Sequence, residues 1–322
     1  MDRNLVMNLA RVTEAAALHS AKFLGKGDKN AADQAAVDAM RNMFETVDIN
    51  GTVVIGEGEI DEAPMLYIGE KIGQRNEGSL HIDIAVDPLD GTTAISKGMN
   101  DAISVVAVAP EGHLLHAPDM YMEKLACGPK AKGKVSIEYP IEKNLEILTQ
   151  VLNKDISDIT VVMLDRERHD DYAKRIRKAG ARIRFIQDGD VIGAISTCFD
   201  HVSGDILIGR GGAPEGVLAA VALKCLGGHF EGYLTPNSKE EEERCEKMGV
   251  KCNTIYGIDD LVKGNEAAFA ATGVSHGELL DGVKFIKKNV AETETLVLRA
   301  ETGTVRFIKA VHYLDKKPEY AK

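Results

Sequence analysis

The sequence predicts an α/β fold, because short apolar or alternating segments repeatedly give way to turns rich in glycine and acidic residues. Three segments show this pattern most clearly: residues 51–56, 81–86 and 206–208. Further strands are predicted at residues 103–108, 160–164 and 183–186, with helices between the later ones. Open α/β sheets bind ligands at the carboxyl ends of their strands, so the acids that follow these strands are candidate site residues.

Residues 87–93, Asp-Pro-Leu-Asp-Gly-Thr-Thr, are the most informative of these turns. Pro88 is expected to stop ladder pairing and turn the chain, so that Asp90 swings back towards the first aspartate. Gly91 allows a close approach of the backbone to a ligand, and the neighbouring N–H groups are suited to an anion. Two carboxylates beside such donors favour a divalent metal that holds a phosphate. An ordinary sharp turn without chemistry is the competing interpretation.

Two other strand ends add acids. Four acidic residues follow the strand at 51–56, namely Glu57, Glu59, Asp61 and Glu62. Their like charges repel at short range, so such a cluster after a buried strand is unfavourable unless a cation neutralises it. A solvated acidic loop is the alternative, above all for Glu59 and Glu62. Glu215 lies in a glycine-rich turn that follows strand 206–208 and precedes an apolar helix, residues 217–226.

A helix supplies a further candidate. Asp28 has the position of an N-cap for a helix from Lys29 to about Val47, and its apolar residues recur at helical spacing. Lys29 and Asp33 are four residues apart and share one face of this helix. By themselves they indicate an ordinary surface ion pair.

Length and charge limit the possible functions. The chain has 322 residues, enough for two domains, and we predict a boundary at the Gly-, Lys- and Pro-rich residues 128–133. Residues 1–133 would form an N-terminal α+β metal-binding subdomain, and residues 134–322 a C-terminal α/β subdomain that completes the site. Fifty acids against 39 bases give a net charge of -11, which argues against a nucleic-acid partner. Local metals and basic residues must therefore attract any phosphorylated substrate.

The cysteines and the N-terminus indicate the compartment. Five cysteines without a CxxC pair or zinc spacing are typical of reduced thiols in a cytosol. Residues 1–25 read as an amphipathic helix rather than a signal peptide or a membrane span. We expect a cytoplasmic protein that binds no membrane.

Five segments in this order resemble class II fructose-1,6-bisphosphatase of the GlpX type. They lie at residues 27–33, 54–66, 87–92, 117–122 and 211–216. The segment at 87–92 alone would indicate only the lithium-sensitive, metal-dependent phosphatase superfamily, which includes inositol monophosphatases. The resemblance covers nearly the whole chain. It implies a layered αβαβα sandwich with the active site between two halves, and a homodimer or homotetramer.

Together with this resemblance, these acidic residues lead to the hypothesis that the protein binds two or more metal ions. Asp33 and Glu57 would hold one ion, and Asp87, Asp90 and Glu215 the other. All five are oxygen donors, which selects Mg²⁺ or Mn²⁺. Two such ions, roughly 3.5–4 Å apart, can clamp the attacking and the leaving oxygen of an in-line displacement.

The expected reaction is direct hydrolysis of the C1 phosphate of fructose 1,6-bisphosphate in gluconeogenesis, without a phosphoenzyme. Thr92 and a carboxylate would orient the attacking water, with Asp61 the first choice for that carboxylate and Asp33 the second. Lys29 would act as a fixed cation, and the donors of the 91–93 turn would stabilise charge on the phosphoryl oxygens.

A bisphosphate needs a second anion site. Arg166 and Arg168 follow strand 160–164, and arginine suits bidentate phosphate binding, although Asp165 and Glu167 could simply balance them at the surface. In relatives the first basic position of this loop is often lysine, whereas this chain has arginine. The resemblance implies a substrate-binding set made of Asp90, Gly91, Thr92, Tyr121, Arg166, Arg168, Asp188, Asp190 and Gly212.

Other functions remain open at this point. The same chemistry could act on sedoheptulose 1,7-bisphosphate, an inositol monophosphate or a phosphoadenosine nucleotide, although the absence of Trp weakens the nucleotide case. A sugar-phosphate sensor without turnover is a different class, and Thr92 beside a full set of carboxylates argues against it.

Overall fold

The computed structural model describes residues 3–58 and 65–318, and it confirms the α/β class. The helices are α1 (Arg3–Ser20), α2 (Lys29–Phe44), α3 (Thr92–Lys97), α4 (Ile141–Leu152), α5 (Asp170–Ala179), α6 (Asp190–Ser196), α7 (Ala213–Leu226), α8 (Lys239–Met248) and α9 (Ile258–Leu261). The strands are β1 (Ile49–Ile55), β2 (Lys71–Ile72), β3 (Leu80–Asp90), β4 (Ile103–Pro110), β5 (Tyr121–Cys127), β6 (Thr160–Leu164), β7 (Arg182–Ile186), β8 (Ile206–Gly212), β9 (His229–Leu234), β10 (Tyr256–Gly257), β11 (Ala268–Gly273), β12 (Lys284–Lys287), β13 (Val290–Arg299) and β14 (Thr304–Tyr313).

The chain divides into two compact units, Met1–Leu114 with Gly264–Lys322, and Leu115–Lys263. This division differs from the predicted boundary at residue 133. The reason is long-range strand pairing, because β11 pairs with β4 and so places the C-terminal strands in the first unit. The segment 128–133 instead continues the second unit, with a 3₁₀ turn at Pro129–Ala131.

The sheet of the first unit runs in the order β12-β13-β11-β4-β3-β1-β2, and β14 pairs with β13. The pairing of β1 with β3 is parallel, whereas β3 pairs antiparallel with β4. Helices α1 and α2 supply much of the apolar core against this sheet, through side chains such as Leu9, Met40 and Phe44. Since β1 and β3 are parallel, their carboxyl ends lie at the same edge of the sheet.

The sheet of the second unit runs in the order β10-β9-β5-β8-β6-β7. Strand β6 is parallel to both β7 and β8, while β5 is antiparallel to β8 and β9. Helices α4 and α5 bury apolar side chains, among them Leu145 and Ile176, in the core of this unit. The strands predicted at 160–164, 183–186 and 206–208 are all present.

Two local predictions about the site segments have different outcomes. Asp28 is the N-cap of α2, as predicted, and its side chain accepts a hydrogen bond from the N–H of Ala31. Pro88 itself has no partner in the ladder, but the prediction that pairing stops there is wrong, because pairing resumes at Asp90, the last residue of β3. Its pairing with β4 shifts by one residue between Asp87 and Asp90. A bulge leaves residues out of the ladder, so the N–H that proline lacks is not required there.

No helix within the described ranges is both long and apolar enough to span a membrane.

Glu14 of α1 gives the first unit a pH-dependent stability. The residue is 9% exposed, and burial raises the pKa of its carboxyl from 4.5 to about 7, against the charges of Lys317 and Arg11. The folded state therefore binds an extra proton between these two values. Its contribution to stability is fully present below about pH 4.5 and is lost as the pH rises through about 7.

Glu14→Gln should remove this dependence. We expect the variant to gain stability over the parent as the pH rises, by on the order of 3 kcal/mol at most. Urea unfolding of both proteins at a series of pH values from acid to mildly alkaline measures the difference. Glu77→Gln, at an exposed position of the same unit, is the matched control. A Glu14→Gln difference that stays constant with pH would contradict the assignment.

Candidate functional site

Asp33 and Glu57 lie close together in the first unit. Glu57 follows the carboxyl end of β1, and Asp33 lies in the second turn of α2. Burial, followed by the negative charge of Asp33, raises the pKa of the Glu57 carboxyl to about 7. Burial also raises the pKa of Asp33. The ionised forms of two neighbouring, partly buried carboxylates are stabilised when a cation lies between them.

The bulge at the end of β3 presents the other predicted acids of this unit. Asp87 accepts a hydrogen bond at Oδ1 from the N–H of Leu89 at 3.1 Å, which fixes the bend. Asp90 is only 7% exposed, at the last position of β3. Gly91 follows with φ 110°, and a Cβ there would lie 2.9 Å from the Cβ of Ala102, so that glycine is required.

Helix α3 begins directly after Gly91 and carries the threonines. Thr92 is its first residue, and the Nζ of Lys29 donates a hydrogen bond to Thr93 Oγ1 at 2.8 Å. Lys29 therefore contacts the turn at the start of α3, rather than forming the surface ion pair with Asp33 that its spacing suggests. The lysine ties the beginning of α2 to the segment that bears Thr92.

The acids of the first unit fit a hard divalent cation by their chemistry, since they are buried or half-buried oxygen donors of one sign. Within residues 3–58 and 65–318, however, no three His, Cys, Asp or Glu side chains converge closely enough to form a metal-binding group. The loop acids Glu59, Asp61 and Glu62 lie outside the described residues. Asp61, the first choice for orienting water, therefore stays a prediction.

Glu215 of the second unit lies beside a buried ion pair. Lys124 of β5 is 2% exposed and donates a hydrogen bond from Nζ to Oδ2 of Asp190, itself 7% exposed, at 2.6 Å. Burial raises the pKa of Glu215, the positive charge of Lys124 lowers it, and the charge of Asp190 raises it again. Within the described chain, Glu215 Oε2 is buried without a hydrogen-bond partner. This orphaned acceptor fits a cation that supplies the missing partner.

Gly212 is needed for this arrangement. A Cβ at this position would lie 2.0 Å from Glu215 Oε2, so any side chain would displace the carboxylate. Gly211 has the same relation to Asp190, because a Cβ there would lie 2.0 Å from its Oδ2. The Gly-Gly pair at the end of β8 thus leaves room for both carboxylates.

The two predicted arginines of the loop after β6 have different partners. Arg166 donates from Nη2 to Oδ1 of Asp188 at 2.9 Å and forms an ion pair with it. Arg168 donates from Nε and Nη2 to the main-chain oxygen of Arg210, at 3.0 and 2.7 Å. The guanidinium of Arg168 lies 4.8 Å from the centre of the Tyr121 ring. Arg168 and Tyr121 are therefore in contact, whereas Arg166 is engaged by an acid.

Three residues of the second unit were missed in the sequence. Lys124 could have been noticed as a lysine within the otherwise apolar strand of residues 121–127, where a charge requires a partner. His169 accepts a hydrogen bond from the N–H of Arg210, 41 residues further along the chain, and no local pattern indicates this contact. Arg210 lies within the glycine-rich motif, and nothing in that sequence pattern indicated a role for its side chain.

The chain is similar to known proteins over nearly its whole length. Residues 3–312 match the family described as bacterial fructose-1,6-bisphosphatase, glpX-encoded. A Haemophilus influenzae protein named fructose-1,6-bisphosphatase class 2 is 45% identical, over 98% of this chain and 98% of its own length. Fructose-1,6-bisphosphatase 1 class 2 of Escherichia coli is 44% identical, over 98% and 97%.

A Synechococcus relative, from strain JA-2-3B'a(2-13), is 45% identical over 98% of this chain and 97% of its own length. Its name combines D-fructose 1,6-bisphosphatase class 2 with sedoheptulose 1,7-bisphosphatase. The family match over residues 3–312 spans all five of the segments that carried the resemblance. The chain belongs to the bacterial glpX-encoded fructose-1,6-bisphosphatase family.

Proposed function

We propose that this protein hydrolyses the C1 phosphate of fructose 1,6-bisphosphate to fructose 6-phosphate and inorganic phosphate. The observation that carries this proposal is the family match over residues 3–312. The chemistry of the side chains supports it, because buried oxygen donors of the kind that hold Mg²⁺ occur in the same chain as a cluster of arginines suited to a phosphate.

The proposed ligands are Asp33, Glu57, Asp87 and Asp90 in the first unit and Glu215 in the second. When bound, Mg²⁺ or Mn²⁺ ions activate water and stabilise charge on the phosphoryl group. The chain's own part is to keep these carboxylates fixed and partly dry. The bulge fixes Asp87 and Asp90, and Gly212 keeps space for Glu215.

Thr92 is proposed to orient the attacking water through its hydroxyl, together with the carboxylate of Asp61 or else that of Asp33. Lys29 acts on this step through Thr93, because its hydrogen bond fixes the start of α3. The main-chain groups of Gly91 to Thr93 bind the reacting phosphoryl oxygens.

The sugar is proposed to lie against the second unit's polar residues. Asp188 Oδ1 is bound by Arg166, while its Oδ2 is buried without a hydrogen-bond partner in the described residues and suits a sugar hydroxyl. Asp190 is bound by Lys124, so its part is to orient this wall of the site beside Gly212. Arg168 and Tyr121 bind the remote phosphate.

Release of inorganic phosphate from fructose 1,6-bisphosphate, with Mg²⁺, Mn²⁺ or EDTA, tests this function. We expect turnover that depends on the metal and disappears with EDTA, and little turnover of an inositol monophosphate. Equal turnover in EDTA would contradict the metal-dependent mechanism. Preference for the inositol monophosphate would overturn the proposed substrate.

Sedoheptulose 1,7-bisphosphate is the second candidate substrate, favoured by the name of the Synechococcus relative. It presents the same terminal phosphates on a longer sugar. The ratio of kcat/KM for the two bisphosphates in the same assay decides between a strict and a dual enzyme. We further propose that the enzyme acts in gluconeogenesis in the cytoplasm, as a homodimer or homotetramer, without a nucleic-acid or membrane partner.

A further inference from the structure

We infer that Arg210 is the second guanidinium of the remote-phosphate site, acting with Arg168 and Tyr121 in place of Arg166. This inference rests on the proposed function and names a specificity-determining residue for it. It concerns a side chain to which the resemblance gave no role.

The strand register brings Arg210 to Tyr121. In the antiparallel pairing of β5 and β8, Tyr121 is opposite Gly212, and Glu123 is opposite Arg210. Tyr121 and Arg210 are therefore diagonal neighbours on the same face of the sheet. The guanidinium carbon of Arg210 lies 4.9 Å from the centre of the Tyr121 ring, and that of Arg168 lies 4.8 Å from it. One exposed phenol ring thus contacts two guanidinium groups.

Neither of these two arginines is neutralised by an acid. Arg168 donates to a main-chain oxygen, and Arg210 donates from Nη2 to Thr235 O at 3.0 Å and to Asn237 Oδ1 at 2.5 Å. In the described parts of the chain, Arg210 Nε is buried without a hydrogen-bond partner. Burial lowers the pKa of Arg168, and so do the positive charges of Arg166 and Arg210, while Tyr121 and Asp190 raise it. Two unbalanced guanidinium groups with an unused donor favour an anion.

The acids nearest to this cluster are engaged elsewhere. Glu123, opposite Arg210 in the register, accepts a hydrogen bond from the Tyr172 hydroxyl at 2.8 Å. Asp188 pairs with Arg166 and Asp190 with Lys124. The described residues include no ion pair of Arg168 or Arg210 with a carboxylate. Arg166 differs from both, because a phosphate would have to compete with Asp188 for it.

His169 fixes the position of both arginines. It is 1% exposed, and its Nε2 accepts a hydrogen bond from the N–H of Arg210 at 2.8 Å. Its Nδ1 must then carry the proton and donate to Leu164 O, also at 2.8 Å. The loop that bears Arg168 is thereby attached to the strand that bears Arg210. The two guanidinium groups are held in place before an anion arrives, which lowers the cost of binding.

Arg210→Gln tests the inference through substrate kinetics. We expect KM for fructose 1,6-bisphosphate to rise about 10- to 100-fold, the loss of one charge-assisted contact, with kcat within a few-fold of the parent. KM for p-nitrophenyl phosphate, which has no remote phosphate, should not change. Arg166→Gln should have a smaller effect on the bisphosphate than Arg210→Gln. Arg175→Gln, at an exposed arginine paired with Glu142, is the matched control.

Binding of fructose 6-phosphate, measured by calorimetry against fructose, separates this inference from the proposed function. If the parent protein neither releases phosphate from fructose 1,6-bisphosphate nor binds fructose 6-phosphate, the proposed function itself fails. If the parent turns over the bisphosphate without binding fructose 6-phosphate, the remote-phosphate site and with it this inference fail. If the parent binds it and Arg210→Gln binds it equally well, Arg210 has no part in the site. Arg210→Lys keeps the charge and should recover part of the affinity, whereas a purely structural role of Arg210 would give no such graded recovery. Equal losses on both kinetic substrates would also overturn the inference.

Discussion

Asp90→Asn is expected to lower kcat for fructose 1,6-bisphosphate by on the order of a thousandfold or more. The substitution keeps the size of the side chain and removes one negative charge from the proposed metal site. Asp90 is 7% exposed and lies at the last position of β3, so the turn can retain its shape while the charge is lost. A loss of several kcal/mol of transition-state stabilisation corresponds to several decades of rate.

Asp83→Asn is the matched control for this prediction. Asp83 lies on the same strand, is also buried, and uses Oδ2 to accept a hydrogen bond from the N–H of Leu114. Its replacement should reduce stability while leaving kcat near that of the parent. Calorimetric titration with Mn²⁺ provides a second measurement, in which Asp90→Asn alone should weaken metal binding. Turnover of Asp90→Asn close to the parent at saturating metal would contradict the proposed role.

Lys124→Met is expected to destabilise the metal-free protein by about 3–5 kcal/mol, the typical cost of removing one partner of a buried pair. Lys124 and Asp190 are 2% and 7% exposed, and Glu215 lies within the field of the same ammonium group. Removal of the lysine leaves two carboxylates without a protein cation. Urea unfolding in EDTA measures the effect without help from a bound ion.

The double variant Lys124→Met/Asp190→Asn should recover part of this loss, because the uncompensated charge of Asp190 is removed as well. Lys130→Met is the control. It breaks the exposed pair of Lys130 with Asp200 in the same unit, and such pairs contribute about 1 kcal/mol or less. If Lys124→Met were no less stable than Lys130→Met, the buried pair would have no special importance.

The sequence alone was sufficient for the local elements that bear the site. The apolar run at 160–164 and the N-cap at Asp28 were correctly located, since burial on one face and capping chemistry depend on neighbours within a few residues. The strand that precedes Glu57 followed from the same kind of local pattern, whereas β3 continues past Asp87 to Asp90 and Glu215 lies in the first turn of α7. Pro88 was misjudged because a strand with a bulge and a strand that ends have the same local sequence.

The tertiary structure alone decided which of these side chains meet. The return of β11 to β4 changed the division into units, and the pairing of β5 with β8 placed Arg210 beside Tyr121. The same long-range packing also brings Lys124 and Asp190 together in one ion pair and Arg166 and Asp188 in another. Periodicity determines which face of a segment is buried, whereas the register between strands distant in sequence determines its neighbours. The sequence therefore determined the chemistry available to this protein, and the strand pairing within each sheet determined which charges are balanced within each unit and which are left for a ligand.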